Sequence, residues 1–341
     1  MFDTPSFGVI PGAQVNEVLR GQEGDVIGLV ETAYRLHGDG ETINPDSYFL
    51  RFPDRPADRI IALPASVRGK ANVHGIKWIS SFPDNVAAGI PRASAVLILN
   101  DPDTGYPIAC IEGSIISAAR TAASASLAAR RISERRGIEP RRLGFVGAGL
   151  IARYVDTYLA ANRFRFDAVG VHDVSADNAE GLRDYLSRAG RGDVTVYDTA
   201  EELMRSCDLV VFATVAGRPY LHDPGLLSHH PLVLHVSLRD LAPELILAAY
   251  NVVDDVDHCL KAATSPHLAE QLVGNRRFIA GTVYDVLTGR ITPPLDRPVV
   301  FSPFGLGVLD LVLAKHVYDT VAAAGALRLV PGFFHELRRY G

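Results

Sequence analysis

The chain of 341 residues is 48% hydrophobic and 21% charged, with a net charge of −5 at pH 7. This length favours two globular domains, each large enough for its own core, and the acidic balance gives no reason to expect a nucleic-acid partner. Cys110, Cys207 and Cys259 are odd in number, widely spaced and free of any CxxC pair, so they point neither to a disulfide framework nor to structural zinc. No apolar run approaches the ~18 residues of a membrane span. Met1 to Gln14 lacks a signal-peptide pattern, so a cytoplasmic protein with reduced thiols is expected.

In chain order, residues 26–38 read as an amphipathic helix. Strand patterns follow at Tyr48–Phe52, Arg59–Pro64, Val73–Ile79, Ala93–Asn100 and Tyr106–Glu112, with a turn at Asn100–Gly105, and predict an antiparallel sheet with hairpins. Ile115–Arg136 is dense in alanine, serine and arginine without glycine or proline, which predicts a long helix ended by Gly137. Strands and helices then alternate: Arg142–Val146, Leu150–Ala161, Ala168–Asp173, Ala176–Ala189, Val194–Tyr197, Glu201–Cys207 and Leu209–Val215. Leu232–Leu238 and Val252–Asp254 continue this series, and Val308–Ala324 closes it as a helix. The expected fold is α/β: a Rossmann dinucleotide-binding domain over 121–304, plus a discontinuous α+β substrate and dimerisation domain made of 1–120 and 305–341.

The sequence Gly147-x-Gly149-x-x-Ala152 lies between a predicted strand and a predicted helix, the context a dinucleotide fingerprint requires. Gly147 would permit the tight turn, Gly149 the approach of a pyrophosphate, and Ala152 close helix–strand packing, with helix N–H groups at Leu150 and Ile151 facing the phosphates. Asp173 ends the second strand, 24 positions beyond Gly149. A carboxylate there would bind ribose hydroxyls and repel a 2′-phosphate, favouring NAD over NADP; its alternative is a cap for the helix starting near Ser175.

Ahead of this motif stand Asp58-Arg59-Ile60-Ile61-Ala62-Leu63-Pro64, Gly75-Ile76-Lys77-Trp78-Ile79, Arg92-Ala93-Ser94, Thr104-Gly105-Tyr106-Pro107 and Arg120-Thr121-Ala122-Ala123. The succession resembles the ornithine cyclodeaminase/μ-crystallin family over essentially the whole chain. The resemblance implies a homodimer acting on a small amino-acid-derived substrate that lies against the nicotinamide of NAD. It implies that Arg51, Lys77 and Arg120 bind substrate carboxylate, that Asp240 in His235-Val236-Ser237-Leu238-Arg239-Asp240 works on the amine, and that Thr121 approaches the cofactor phosphates. Thr214, Val215 and Ser237 complete the expected cofactor set.

Two departures argue against cyclisation of ornithine. Ile61 or Ala62 stands where true ornithine cyclodeaminases carry a glutamate for the distal amine, and the loop after Asp240 is shorter than theirs. With Arg59 and Arg92 added to the carboxylate-binding set, the first domain holds five cationic candidates, enough for an amino-acid conjugate with three carboxylates. His229-His230 lacks a third ligand and the Asp254, Asp255, Asp257 cluster follows a strand, so no metal is expected; His172 and His235 read as core histidines. The rival readings are another enzyme of the same family (ornithine cyclodeaminase, alanine dehydrogenase or a cyclic imine reductase), a non-catalytic μ-crystallin-like binding protein and a redox-sensing regulator.

Overall fold

The structure, a computed structural model, describes residues 5–335. It divides into two compact units, Met1–Arg120 with Leu306–Gly341, and Thr121–Gly305. Among the described residues, no helix is long and apolar enough to cross a membrane.

The first unit begins with β1 (Gly8–Ile10), α1 (Gly12–Leu19) and α2 (Glu23–Gly38), followed by β2 (Thr42–Ile43), β3 (Tyr48–Phe52), β4 (Arg55–Val67), β5 (Val73–Ser81), β6 (Ala93–Asn100) and β7 (Pro107–Glu112). Strands β4 to β7 form antiparallel neighbours, β3 and β2 both pair with β4, and β1 joins β7 in parallel. Helix α3 (Ser114–Arg136) then leads from the first unit into the second.

The second unit contains β8 (Arg142–Val146), α4 (Leu150–Ala161), β9 (Ala168–His172), α5 (Ala176–Arg188), β10 (Asp193–Val196), α6 (Ala200–Ser206) and β11 (Leu209–Phe212). It continues through β12 (Leu232–His235), α7 (Pro243–Ala248), β13 (Tyr250–Val253), α8 (Val256–Cys259), α9 (Ser265–Val273), β14 (Ile279–Thr282), α10 (Val283–Thr288) and β15 (Val299–Ser302). All neighbours are parallel, in the order β10-β9-β8-β11-β12-β15-β13-β14. Every residue of β11, β12 and β15 is buried, as helices covering both faces of a parallel sheet require. This is a Rossmann-type sheet.

Two expectations change here. β14 and β15 are absent from the expected series, because Ile279-Ala280-Gly281-Thr282 and the Val299-Val300-Phe301-Ser302 bounded by prolines are too short to carry a periodicity; β15 enters the sheet between β12 and β13. Strands β11 and β12 end at Phe212 and His235, earlier than expected, so Thr214, Val215 and Ser237 lie in loops beyond their carboxyl ends. That is where ligands reach an open α/β sheet.

The chain returns to the first unit as α11 (Gly307–Ala323) and β16 (Arg328–Leu329), the latter pairing with β1. Helix α11 is buried along most of its length and packs on β4, β5, β6 and α2. It covers the sheet face that carries Val73, Lys77, Leu97 and Leu99, all buried. Because strand side chains alternate, the other face displays Tyr48, Leu50, Trp78 and Val96, all exposed.

Candidate active site

At the carboxyl end of β8 the chain turns through Gly147, whose φ of +94° only glycine tolerates comfortably. A Cβ there would also lie 2.6 Å from the Ala213 carbonyl oxygen. Gly149 differs: its φ of −83° is ordinary, and a Cβ would meet no atom of the described residues within 4 Å. Nothing among the described residues requires glycine there, so the space it leaves suits a ligand. Gly149 also caps α4 without a side-chain hydrogen bond, leaving the first N–H groups of that helix, at exposed Leu150 and half-buried Ile151, able to hold phosphate. Ala152 is fully buried.

Asp173, just beyond β9, accepts the Ala148 N–H at 2.8 Å and the Ser175 N–H at 2.9 Å. The cap of α5 is Ser175, whose hydroxyl takes the Asn178 N–H. Asp173 therefore ties β9 to the glycine turn, the position suited to a ribose. Thr121 is half-buried on α3 and Val215 is exposed beyond β11. These residues fit a dinucleotide.

Asp240 has no exposed side-chain surface. Its Oδ1 accepts hydrogen bonds from Thr214 Oγ1 at 2.5 Å and from the Tyr220 hydroxyl at 3.2 Å. Ser237 Oγ donates to Oδ2, and His235 Nε2 lies 3.2 Å from the same oxygen. Burial pushes the carboxyl upward, but His235 and the Ser237 and Thr214 hydroxyls outweigh it and hold Asp240 below the usual carboxylate range. The hydroxyls of Thr214 and Ser237, expected against the cofactor, are thus committed to Asp240. A rigid frame holds this arrangement, since the Tyr220 and Leu221 N–H groups both donate to the Asp240 carbonyl.

In the first unit, Lys77 on β5 is only 2% exposed. It donates to Asp310 Oδ2 on α11 at 2.6 Å and to Ser117 Oγ on α3 at 3.3 Å. Arg120 Nε donates to the other Asp310 oxygen at 3.2 Å. Burial, opposed by Asp310 and reinforced by Arg120, lowers the Lys77 pKa to about 8. Two cations on one carboxylate leave one positive charge in excess, at a buried spot where a further anion would be stabilised.

The remaining arginines lie on the same sheet face. Arg51 on β3 pairs directly with Arg59 on β4, Arg59 pairs with Ser81 on β5, and Arg92 Nη1 donates to Ser81 Oγ at 2.7 Å. Four residue steps of extended strand lead from Lys77 to Ser81, roughly 13 Å at about 3.3 Å per residue. Arg51 itself is exposed and stacks over Phe49. The structure therefore divides the expected carboxylate binders into a buried group, Lys77 with Arg120, and an outer group, Arg51, Arg59 and Arg92.

Asp310 was missed by sequence reasoning, although its signal was available. A lone acid inside the apolar run Leu309–Leu313 must be paired if the helix is buried. Tyr220 carries no sequence signal, and His235 is a buried histidine as expected but one that touches Asp240. Among the described residues, no group of three or more His, Cys, Asp or Glu is placed to hold a metal.

The ornithine cyclodeaminase/mu-crystallin family model matches residues 12–325, and the chain belongs to that family. It is 30% identical over 302 residues to N-((2S)-2-amino-2-carboxyethyl)-L-glutamate dehydrogenase of Staphylococcus aureus, covering 84% of this chain and 87% of the relative. It is 27% identical to the alanine dehydrogenase of Archaeoglobus fulgidus, with 86% and 89% covered. Among solved structures, Thermococcus litoralis Delta(1)-pyrroline-2-carboxylate reductase, in complex with NADH and L-proline, superposes with a TM-score of 0.85 at 21% identity, over 95% of this chain and 100% of that one. The last likeness speaks for the fold.

Proposed function

We propose that the protein is an NAD-dependent oxidoreductase that cleaves N-(2-amino-2-carboxyethyl)-L-glutamate oxidatively to 2,3-diaminopropionate and 2-oxoglutarate, with formation of NADH. The carrying observation is the cationic face of the first unit's sheet: a buried cluster with one excess positive charge, and an arginine row gathered around Ser81, which lies roughly 13 Å from Lys77 along β5. A tricarboxylate uses both. The relative from Staphylococcus aureus is named as a dehydrogenase of this compound, which supports the reading.

When bound, NAD supplies the hydride acceptor. The glycine turn with Leu150 and Ile151 would hold its pyrophosphate, and Asp173 its ribose. Lys77 and Arg120 would fix a substrate carboxylate through charge-assisted bonds, and Arg51, Arg59 and Arg92 the distal ones. Asp240 would take the proton of the substrate's secondary amine. Water then hydrolyses the resulting imine.

The test is direct. Purified protein given the synthetic conjugate and NAD should form NADH and 2-oxoglutarate in equal amounts, while ornithine should release no ammonia. A Gly149→Val control should fold, since no atom of the described residues opposes the side chain, yet lose NAD binding and turnover by at least about 10²-fold. Absence of NADH formation by NAD-loaded wild type would refute the reading.

The family resemblance also leads us to propose a homodimer, supported by the bare face of the first unit's sheet, where Tyr48 is 73% and Trp78 43% exposed. Apolar faces of this kind mark protein interfaces. A double change, Trp78→Arg with Val96→Glu, should convert a dimer of about twice 36.8 kDa into a monomer by analytical ultracentrifugation. A variant that sediments like wild type would exclude this face.

A further inference from the structure

Asp240 is enclosed. Two groups address each of its oxygens: Thr214 and Tyr220 on Oδ1, Ser237 and His235 on Oδ2. The hydroxyls of Thr214, Tyr220 and Ser237 donate to the carboxylate, His235 packs against Oδ2, and the side chain has no exposed surface. Any substrate amine must then exchange its proton with Asp240 through one of these neighbours. His235 is also fully buried and Thr214 and Ser237 are half-buried. Tyr220 is 41% exposed.

We propose that Tyr220 is the outer end of a proton relay, the group through which Asp240 reaches the substrate nitrogen. This rests on the amine-oxidising reading above. In the step, the protonated secondary amine gives one N–H proton to the Tyr220 oxygen while the phenolic proton passes to Asp240 Oδ1. The N–H and O–H bonds break as new O–H bonds form, and the freed electron pair stays on nitrogen, ready to assist hydride loss from the neighbouring carbon. No oxidant is needed for this transfer.

The surroundings suit a relay rather than a base. Burial and the adjacent Asp240 carboxylate, with Glu201 on α6 and Asp173 beyond β9, drive the Tyr220 pKa far upward. The ring therefore remains a phenol, able to donate to Asp240 and to receive a proton only as it passes its own inward. The segment is fixed for this role: the Tyr220 N–H donates to the Asp240 carbonyl, and Leu221 forms a parallel bridge with Leu241.

The experiment is Tyr220→Phe, which keeps the ring and removes the hydroxyl. With the conjugate, or with whichever amino acid the wild type oxidises, kcat should fall about 10²-fold near neutral pH. KM should stay within threefold, and the loss should shrink as pH rises and free amine accumulates. Thr214→Val and Ser237→Ala should not reproduce this pH-dependent recovery. A second readout needs no turnover: in 13C-labelled protein the Asp240 carboxyl should titrate at higher pH in Tyr220→Phe than in wild type, because one donor to Oδ1 is lost. An unchanged kcat and pH profile in Tyr220→Phe overturns the relay, as does an unmoved Asp240 titration. Wild type that oxidises no amine substrate, with the Asp240 titration shifted as stated, would instead overturn the proposed function and leave the coupling intact.

Discussion

Lys77→Met should cost about 10- to 10²-fold in kcat/KM while leaving the protein at least as stable as wild type at pH 7. The activity loss follows from removing one charge-assisted hydrogen bond to a substrate carboxylate, worth about 1.5–3 kcal/mol, at roughly tenfold per 1.4 kcal/mol. The stability result follows from the charge balance of the cluster. Wild type buries two cations against one anion; the variant leaves Arg120 facing Asp310 alone, a neutral pair, with methionine filling most of the lysine's volume. Asp310→Asn should do the opposite and destabilise by about 3–5 kcal/mol, because it leaves two buried cations without their acid.

The pH dependence of the difference is diagnostic. The Lys77 pKa falls from 10.5 to about 8 on folding. Between these values the unfolded chain binds more protons than the folded one, so stability rises with pH. The cost of holding charged Lys77 is therefore complete below pH 8 and fades toward pH 10.5. Wild type should gain about 3 kcal/mol relative to Lys77→Met across that window. Urea denaturation of both proteins at pH 7.5 and pH 10.5 measures it. A variant that melts far below wild type at pH 7, or that turns over normally, would show that Lys77 is a structural residue.

Asp240→Asn should reduce turnover by about 10²- to 10⁴-fold with NAD affinity within threefold of wild type. The amide has the carboxylate's shape but neither its charge nor its capacity to accept from all the groups around it. Stopped-flow NADH formation and fluorescence titration separate the two effects. Because folding depresses the Asp240 pKa, this group contributes stability above its unfolded value near 3.9, and that contribution disappears as pH falls through the folded pKa. The variant should lack this acid-side loss. Wild-type turnover in Asp240→Asn would remove Asp240 from the chemistry.

The parts of the molecule written locally were legible in the chain. The glycine turn needs only its neighbours: Gly147 must adopt a positive φ, a strand precedes it and a helix follows. The antiparallel strands announce themselves by alternation and by the Asn100–Gly105 turn, and β3, β6 and β8 begin and end where their patterns do. Strand β15 was not legible, because three apolar residues and a serine look alike in a strand, a helix or a loop until neighbours bury them on both sides.

Sequence by itself determined the run of strands and helices from β3 to β12, the turn that suits a dinucleotide, and membership of a family whose pattern runs through 12–325. Tertiary structure decided which charges meet. Lys77 and Asp310 stand 233 positions apart, and only the return of α11 onto β5 closes their 2.6 Å bond. Likewise, the loops beyond β11 and β12 wrap Thr214, Tyr220 and Ser237 around Asp240. The physical reason is range: backbone preference acts over a few residues, whereas a buried charge takes its partner from whatever the packed chain brings within hydrogen-bond distance.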